Sequence, residues 1–428
     1  MTVICIRWSH LQSLNQLTLR YVLLNYHIGN QPQRDTFSGN HVSQHSVSIQ
    51  SYFWNRLLPV LLLIVFYIAA VPAYASPLHE AAKRGRLDIV KSTLKKGTGV
   101  DKTDANGISA LMYASGFGKT DLCQYLITQG AQVDKKDPEG LTPLIYAVSL
   151  HANIKTVSLL LNNKADTNAA DLHGKSVLMY AAYKGSLPVI RLLIKNKARI
   201  QHHNKEGMTA LDIASYRGYP DVVSLLLEKG ADPSHSDRNK TSPLMLAVSQ
   251  GNLKSAQLLI RHGANISHTN NKGRTALMNA AYMGHADLVK LLLTHKARVN
   301  NRSNKGNTAL INAAFNGHTL IMKILLQHGA SVNSRNKRGE TPLMITARKG
   351  HLQSAEFLLQ QGTSPRQFNR RRETPLIIAT RNGHLDIVKL LLKHGAIRHH
   401  KDLSRRTALD YARHYHYSKI ISVLTVEH

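Results

Sequence analysis

Leucines at positions 78, 111, 144, 178, 211, 244, 277, 310, 343, 376 and 409 each open an apolar stripe. Successive leucines stand 33 residues apart, except for 34 between Leu144 and Leu178. In residues 274–306, RTALMNAAYMGHADLVKLLLTHKARVNNRSNKG, Leu277, Ala280 and Ala281 fall at i, i+3 and i+4, the spacing of one helix face. The small alanines let a second helix come close. Gly284 interrupts the pattern where the chain turns between helices and positive φ is needed. A second helix follows, with Leu288, Val289, Leu291, Leu292 and Leu293 inward and Asp287 well placed in its first turn. Asn304, Lys305 and Gly306 then supply turn chemistry for a short β-hairpin finger. The one extra residue falls around His151, Ala152 and Asn153, in a turn, where insertion costs least.

The helix boundaries carry their own signals. Thr142-Pro143, Ser242-Pro243, Thr341-Pro342 and Thr374-Pro375 set a capping hydroxyl before a proline whose missing N–H costs nothing at the first helical position. Second helices mostly end at glycine, but Lys164, Lys197 and Lys296 take that place in three units. Each lysine is expected to cost roughly 1 kcal/mol if the left-handed conformation is kept. Ser92 and Thr93 replace paired aliphatics in the first unit, and His416 replaces the turn glycine in the last, as terminal units with one unstacked face require. Eleven units fill residues 76–428 and leave no room for another domain.

The T-P-L start, the A-A pair, G-H, V-K-L-L-L, H-G-A and the closing N-x-x-G resemble the ankyrin repeat over about four fifths of the chain. The resemblance implies an all-α solenoid, a stack of antiparallel helix pairs with short β-hairpin fingers, that binds other macromolecules on a concave face. The chain departs from the family pattern after the leading leucine. The family's histidine survives there only as His79, and Met112, Ile145, Met179, Met245, Met278, Ile311, Met344 and Ile377 replace it. Apolar packing is expected to substitute for the family's Thr–His bonding.

The first 75 residues follow a different logic. An uncharged apolar stretch, LLPVLLLIVFYIAA, starts at Leu57 behind Arg56 and gives way to Val71-Pro72-Ala73-Tyr74-Ala75. An apolar core, a proline and a terminal A-x-A are the parts of a secretory signal peptide cut between Ala75 and Ser76. Residues 51–75 are therefore expected to be an export signal, and the repeats to be periplasmic or secreted. The alternative is an uncleaved anchor, since 57–75 just reaches spanning length. Lys83, Arg84, Arg86 and Lys91 would then hold the repeats in the cytoplasm by the positive-inside rule. Residues 1–50 resemble neither a leader nor a domain, and a start at a codon such as Val42 or Val47 would explain them.

Charge narrows the partner. The net charge is +30, with a pI near 10.2, and removing residues 1–75 leaves +27 on the repeats. Such an excess attracts acidic proteins, anionic polymers or anionic membrane surfaces and says nothing of fold. Nothing matches a nucleic-acid-binding motif, so nucleic acid is set aside. Cys5 and Cys123 form neither a disulfide framework nor a zinc site. The 24 histidines owe their spacing to the repeat, as at His285, His318, His351 and His384, and imply no metal. No G-x-S-x-G, P-loop or dinucleotide fingerprint is present, so neither enzyme chemistry nor a cofactor is expected.

Binding residues are expected just before each inter-helix glycine, on the concavity. The pairs are Lys83-Arg84, Gly116-Phe117, Tyr183-Lys184, Tyr216-Arg217, Ser249-Gln250, Tyr282-Met283, Phe315-Asn316, Arg348-Lys349 and Arg381-Asn382. Tyr, Phe, Met, Arg and Lys in such a row suit an interface core, or else simply cover adjacent repeats. The fingers grow more basic toward the C-terminus, and Arg370, Arg371, Arg372, Arg405 and Arg406 are further binding candidates, a row that clamps carboxylates or phosphates or else is a solvated edge. The function expected is a monomeric, non-catalytic protein-binding scaffold exported to a bacterial envelope. Alternatives are a host-directed effector and an electrostatic binder of an anionic polymer or membrane surface.

Overall fold

A computed structural model of the chain describes residues 76–426. They belong to one compact unit, Ala73–His428. Residues 1–50, the apolar stretch from Leu57 and the Ala75 side of the expected cleavage point lie outside the described residues. None of the described helices is long and apolar enough to cross a membrane.

Among the described residues the chain forms 22 helices, two per repeat. The first helices are α1 (Pro77–Arg84), α3 (Ala110–Gly116), α5 (Pro143–Ser149), α7 (Val177–Lys184), α9 (Ala210–Arg217), α11 (Pro243–Ser249), α13 (Ala276–Met283), α15 (Ala309–Phe315), α17 (Pro342–Lys349), α19 (Pro375–Arg381) and α21 (Ala408–His414). Their partners are α2 (Leu87–Lys95), α4 (Thr120–Thr128), α6 (Ile154–Asn162), α8 (Leu187–Lys195), α10 (Pro220–Glu228), α12 (Leu253–Arg261), α14 (Ala286–Thr294), α16 (Thr319–Gln327), α18 (Leu352–Gln360), α20 (Leu385–Lys393) and α22 (Ser418–Thr425). Each odd helix packs on its own partner and on the next odd helix, and the even helices form a second row. This is an all-α repeat solenoid.

Its core is the leucine ladder read from the sequence. Leu277 is 2 % exposed, with Ala280 and Ala281 fully buried beside it. Leu288, Val289, Leu292 and Leu293 are buried from the second helix, while Leu291 is half-buried. From Ser109 to Thr407 every odd helix is capped by its Ser or Thr, whose hydroxyl accepts the N–H three residues on. In the first repeat Ser76 instead bonds His79 Nδ1 at 2.5 Å. Where methionine replaces that histidine, its sulfur can take the capping residue's N–H, as Met112 does for Ser109 at 3.3 Å. Lys164, Lys197 and Lys296 do hold the left-handed conformation, with φ of 65°, 64° and 62°.

The fingers differ from expectation. No strand forms among the described residues, and the hairpins reduce to two isolated bridges, Thr103 with Ser109 and Ala170 with Ser176. Most of the bonding within a finger comes from the residue that opens it. Asn270 donates its N–H to the Arg274 carbonyl, while its side-chain oxygen accepts from the N–H groups of Lys272 and Arg274 at 2.9 and 3.0 Å. The finger thus closes as an Asx turn, and the same turn at Asp104 and Asp171 stands beside the two bridges. Neighbouring fingers join by single backbone bonds, such as Lys337 N–H to Lys305 O and Arg370 N–H to Arg338 O.

Candidate functional site

The expected binding residues stand in the last turns of the odd helices, but the stack uses them unequally. Tyr183 on α7 lies between two cations: Lys175 Nζ is 4.8 Å and the Arg217 guanidinium 4.6 Å from its ring centroid. Arg217 also donates to the Tyr219 hydroxyl at 3.2 Å. Lys184 is half-buried and donates to the Leu150 carbonyl; burial first, and Arg217 second, lower its pKa. Further along, Tyr282 on α13 stacks on Phe315 of α15, centroids 6.0 Å apart, and Lys349 Nζ sits 4.2 Å from the Phe315 centroid. Met283, 41 % exposed, stands beside them. Rings and cations therefore meet in two clusters along the row, an arrangement that offers apolar faces and positive charge together.

Other members of the row belong to the stack itself. Tyr216 is 9 % exposed, and burial raises its hydroxyl pKa. Arg348 and Arg381 bind Glu340 and Glu373, carboxylates that are each 3 % exposed. Burial alone would raise the Glu340 pKa, but the hydrogen bond and charge of Arg348 outweigh it and hold the carboxyl below its ordinary range. Asn336 and Asn369 complete these two clusters at 2.9 and 2.8 Å. Arg370, Arg371, Arg372, Arg405 and Arg406 are exposed on the fingers, with Arg406 also 5.7 Å from the Tyr411 ring.

Reading the helix ends alone misses the position just before each helix cap. It holds Ile108, Leu141 and Met208, but also Lys175, Glu340 and Glu373. Lys175 is 4 % exposed, lies 3.9 Å from the Tyr180 ring as well as near Tyr183, and is pushed down to about 8 by burial. Thr241, Arg274, Asn307 and Arg406 occupy it in other repeats, so the sequence alone did not set Lys175, Glu340 and Glu373 apart as buried.

The histidines act as ties between repeats. Nε2 of His318, His351 and His384 bonds the carbonyl of Tyr282, Phe315 and Arg348 in the preceding repeat. Each of these rings also lies over the preceding inter-helix glycine; a Cβ at Gly284 would come within 2.8 Å of His318. In the fingers His202, His235 and His268 bond Gly174, Gly207 and Lys240 carbonyls in the same manner. Among the described residues no group of three His, Cys, Asp or Glu side chains is placed to hold a metal ion.

A continuous two-row stack with an aromatic and cationic inner row defines a repeat scaffold for protein–protein interaction. A family model described as ankyrin repeats (3 copies) matches residues 78–171, 149–237, 232–303, 297–369 and 361–428. The chain belongs to the ankyrin-repeat family. A search of curated proteins returned no match.

Proposed function

We propose that the chain is an exported scaffold that holds a protein partner on the inner-helix face, centred on repeats four to nine. The observation that carries this reading is the ladder of Tyr183 with Arg217 and of Tyr282 and Phe315 with Lys349. Stacked rings with a flanking exposed methionine supply a rigid apolar anchor, and the lysine and arginine favour a partner with acidic groups. The partner docks on a single copy of the chain, and the scaffold performs no chemistry on it.

Export rests on the A-x-A junction and on the first repeat's helix starting at Pro77, directly behind it. N-terminal sequencing of the mature protein should return Ser76; a product that keeps residues 57–70 and fractionates with membranes refutes export by cleavage. For binding, residues 76–428 immobilised as bait should retain a partner that the Tyr282→Ala, Met283→Ala variant releases. Equal retention by both proteins would overturn the assignment of the face.

A further inference from the structure

The stack is electrically divided. Residues 76–237 carry 21 Lys and Arg against 16 Asp and Glu, whereas residues 238–428 carry 30 against 8, a net charge of +5 followed by +22. In the basic half, the carboxylates of the fingers are turned inward. Glu340 and Glu373 are closed by Arg348 and Arg381, and Asp402, 6 % exposed, accepts from the Tyr411 hydroxyl at 2.6 Å. Arg302 and Arg335 spend their guanidiniums on carbonyls of the next finger. By contrast Lys305, Lys337, Arg338, Arg370, Arg372 and Arg405 are all exposed at the finger tips.

Three of the tip cations are placed against backbone preference. Lys240, Arg372 and Arg405 have φ of 54°, 57° and 59° at the position where the other fingers carry glycine. A long cationic side chain there costs stability that glycine would not. The same tips expose apolar groups: Leu403 is 64 % exposed, and Phe368, 46 % exposed, stacks on His400 with centroids 5.8 Å apart. Single backbone bonds from finger to finger, ending with Leu403 N–H to Arg371 O, hold the tips in register along one edge.

We propose that the finger edge of residues 238–406 docks on an anionic membrane surface. Its cations meet lipid phosphates, and Phe368 and Leu403 enter the headgroup layer, which combines the two contributions that interfacial binding requires. This edge uses other residues than the inner-helix face, so the scaffold can hold its partner at a membrane. A bound acidic polypeptide would use the cations but leaves the protruding apolar tips unexplained.

Residues 76–428, whose core is internal to the repeats, provide the test without the apolar 57–70 stretch. They should co-sediment with vesicles of phosphatidylcholine mixed with phosphatidylglycerol and stay in solution with phosphatidylcholine alone. The Arg372→Gly, Arg405→Gly variant restores the glycine of the other fingers, so it should melt no lower than the parent. Its partition onto anionic vesicles should fall roughly fivefold per cation removed, about twenty-fivefold for the pair. The Phe368→Ser, Leu403→Ser variant should also bind more weakly while keeping the salt dependence. No sedimentation with the anionic vesicles, or equal sedimentation with both, overturns the proposal. So does unchanged binding by the serine variant together with full displacement by polyglutamate, which would assign the edge to an acidic polypeptide. Capture of the inner-face partner in solution is unaffected by either variant, so the two readings fail separately.

Discussion

Leu277→Ala and Leu409→Ala make the same chemical change at the same place in the repeat, and the stack should make their costs very different. Leu277 is 2 % exposed and has a repeat on either side. Truncation removes three carbon groups from the core, about 2.4 kcal/mol at roughly 0.8 kcal/mol per buried group. The cavity left between repeats adds to this, and the total should fall in the range of about 2.7–5 kcal/mol seen for fully buried leucines. Leu409 lies in the last repeat and is only half-buried, so it begins with less transfer energy and water refills the gap. Its cost should be about 1 kcal/mol and should stay local, because terminal repeats open without their neighbours. Chemical denaturation of residues 76–428 with amide exchange separates the two. Leu277→Ala should lower the main transition, whereas Leu409→Ala should leave it in place and speed exchange in α21 and α22 alone. Equal losses in the main transition would refute a stack held by nearest-neighbour contacts.

Lys164→Gly, Lys197→Gly and Lys296→Gly should each stabilise the chain by roughly 1 kcal/mol, read as a rise in denaturation midpoint, since each lysine holds φ above 60°. Arg348→Ala should cost roughly 3 kcal/mol in the same assay by stranding buried Glu340, while Glu340→Leu with Arg348→Met should be near neutral, as Leu141 and Met208 are tolerated in that column. Asp212 is fully buried on α9; its Oδ2 accepts the Thr209 N–H and lies 3.6 Å from His235 Nε2, and its Oδ1 has no partner among the described residues. Burial pushes its carboxyl up to about 6. The folded state therefore holds this proton more tightly than the unfolded chain, so the contribution is full below about pH 4 and lost as pH rises through 6. Stability relative to Asp212→Asn should fall by roughly 3 kcal/mol across that window; a flat difference would show that the carboxyl is not buried as described.

The repeat and its helices were legible because both signals are local. The leucine spacing, the Ser and Thr caps and the glycines lie within a few residues of what they decide. Even the one irregular unit could be placed, and Ala152 there takes φ of 49° in place of glycine. What escaped depends on the neighbouring repeat. Glu340 and Glu373 are paired only once Arg348 and Arg381 fold back over them from the following helix. Tyr216 and Tyr282 look equivalent in sequence, yet the first is buried and the second is half-buried, stacked on Phe315. The turn chemistry of the fingers was legible in Asn304 and Gly306, but two isolated bridges are all that stands in place of the expected hairpins among the described residues. Arg372 and Arg405 were read as part of a basic finger row, although each, like Lys240, stands where the other fingers carry glycine.

The central claim is that a protein partner is anchored on the rings of the inner-helix face. Its most direct test is the dissociation rate of the captured partner from residues 76–428 carrying Tyr282→Ala, Met283→Ala and Phe315→Ala, with helicity checked by circular dichroism. The account expects dissociation to quicken by about thirtyfold or more, the effect of losing an interface hot spot, with helix content unchanged. A folded triple variant that releases the partner at the parent rate would contradict it.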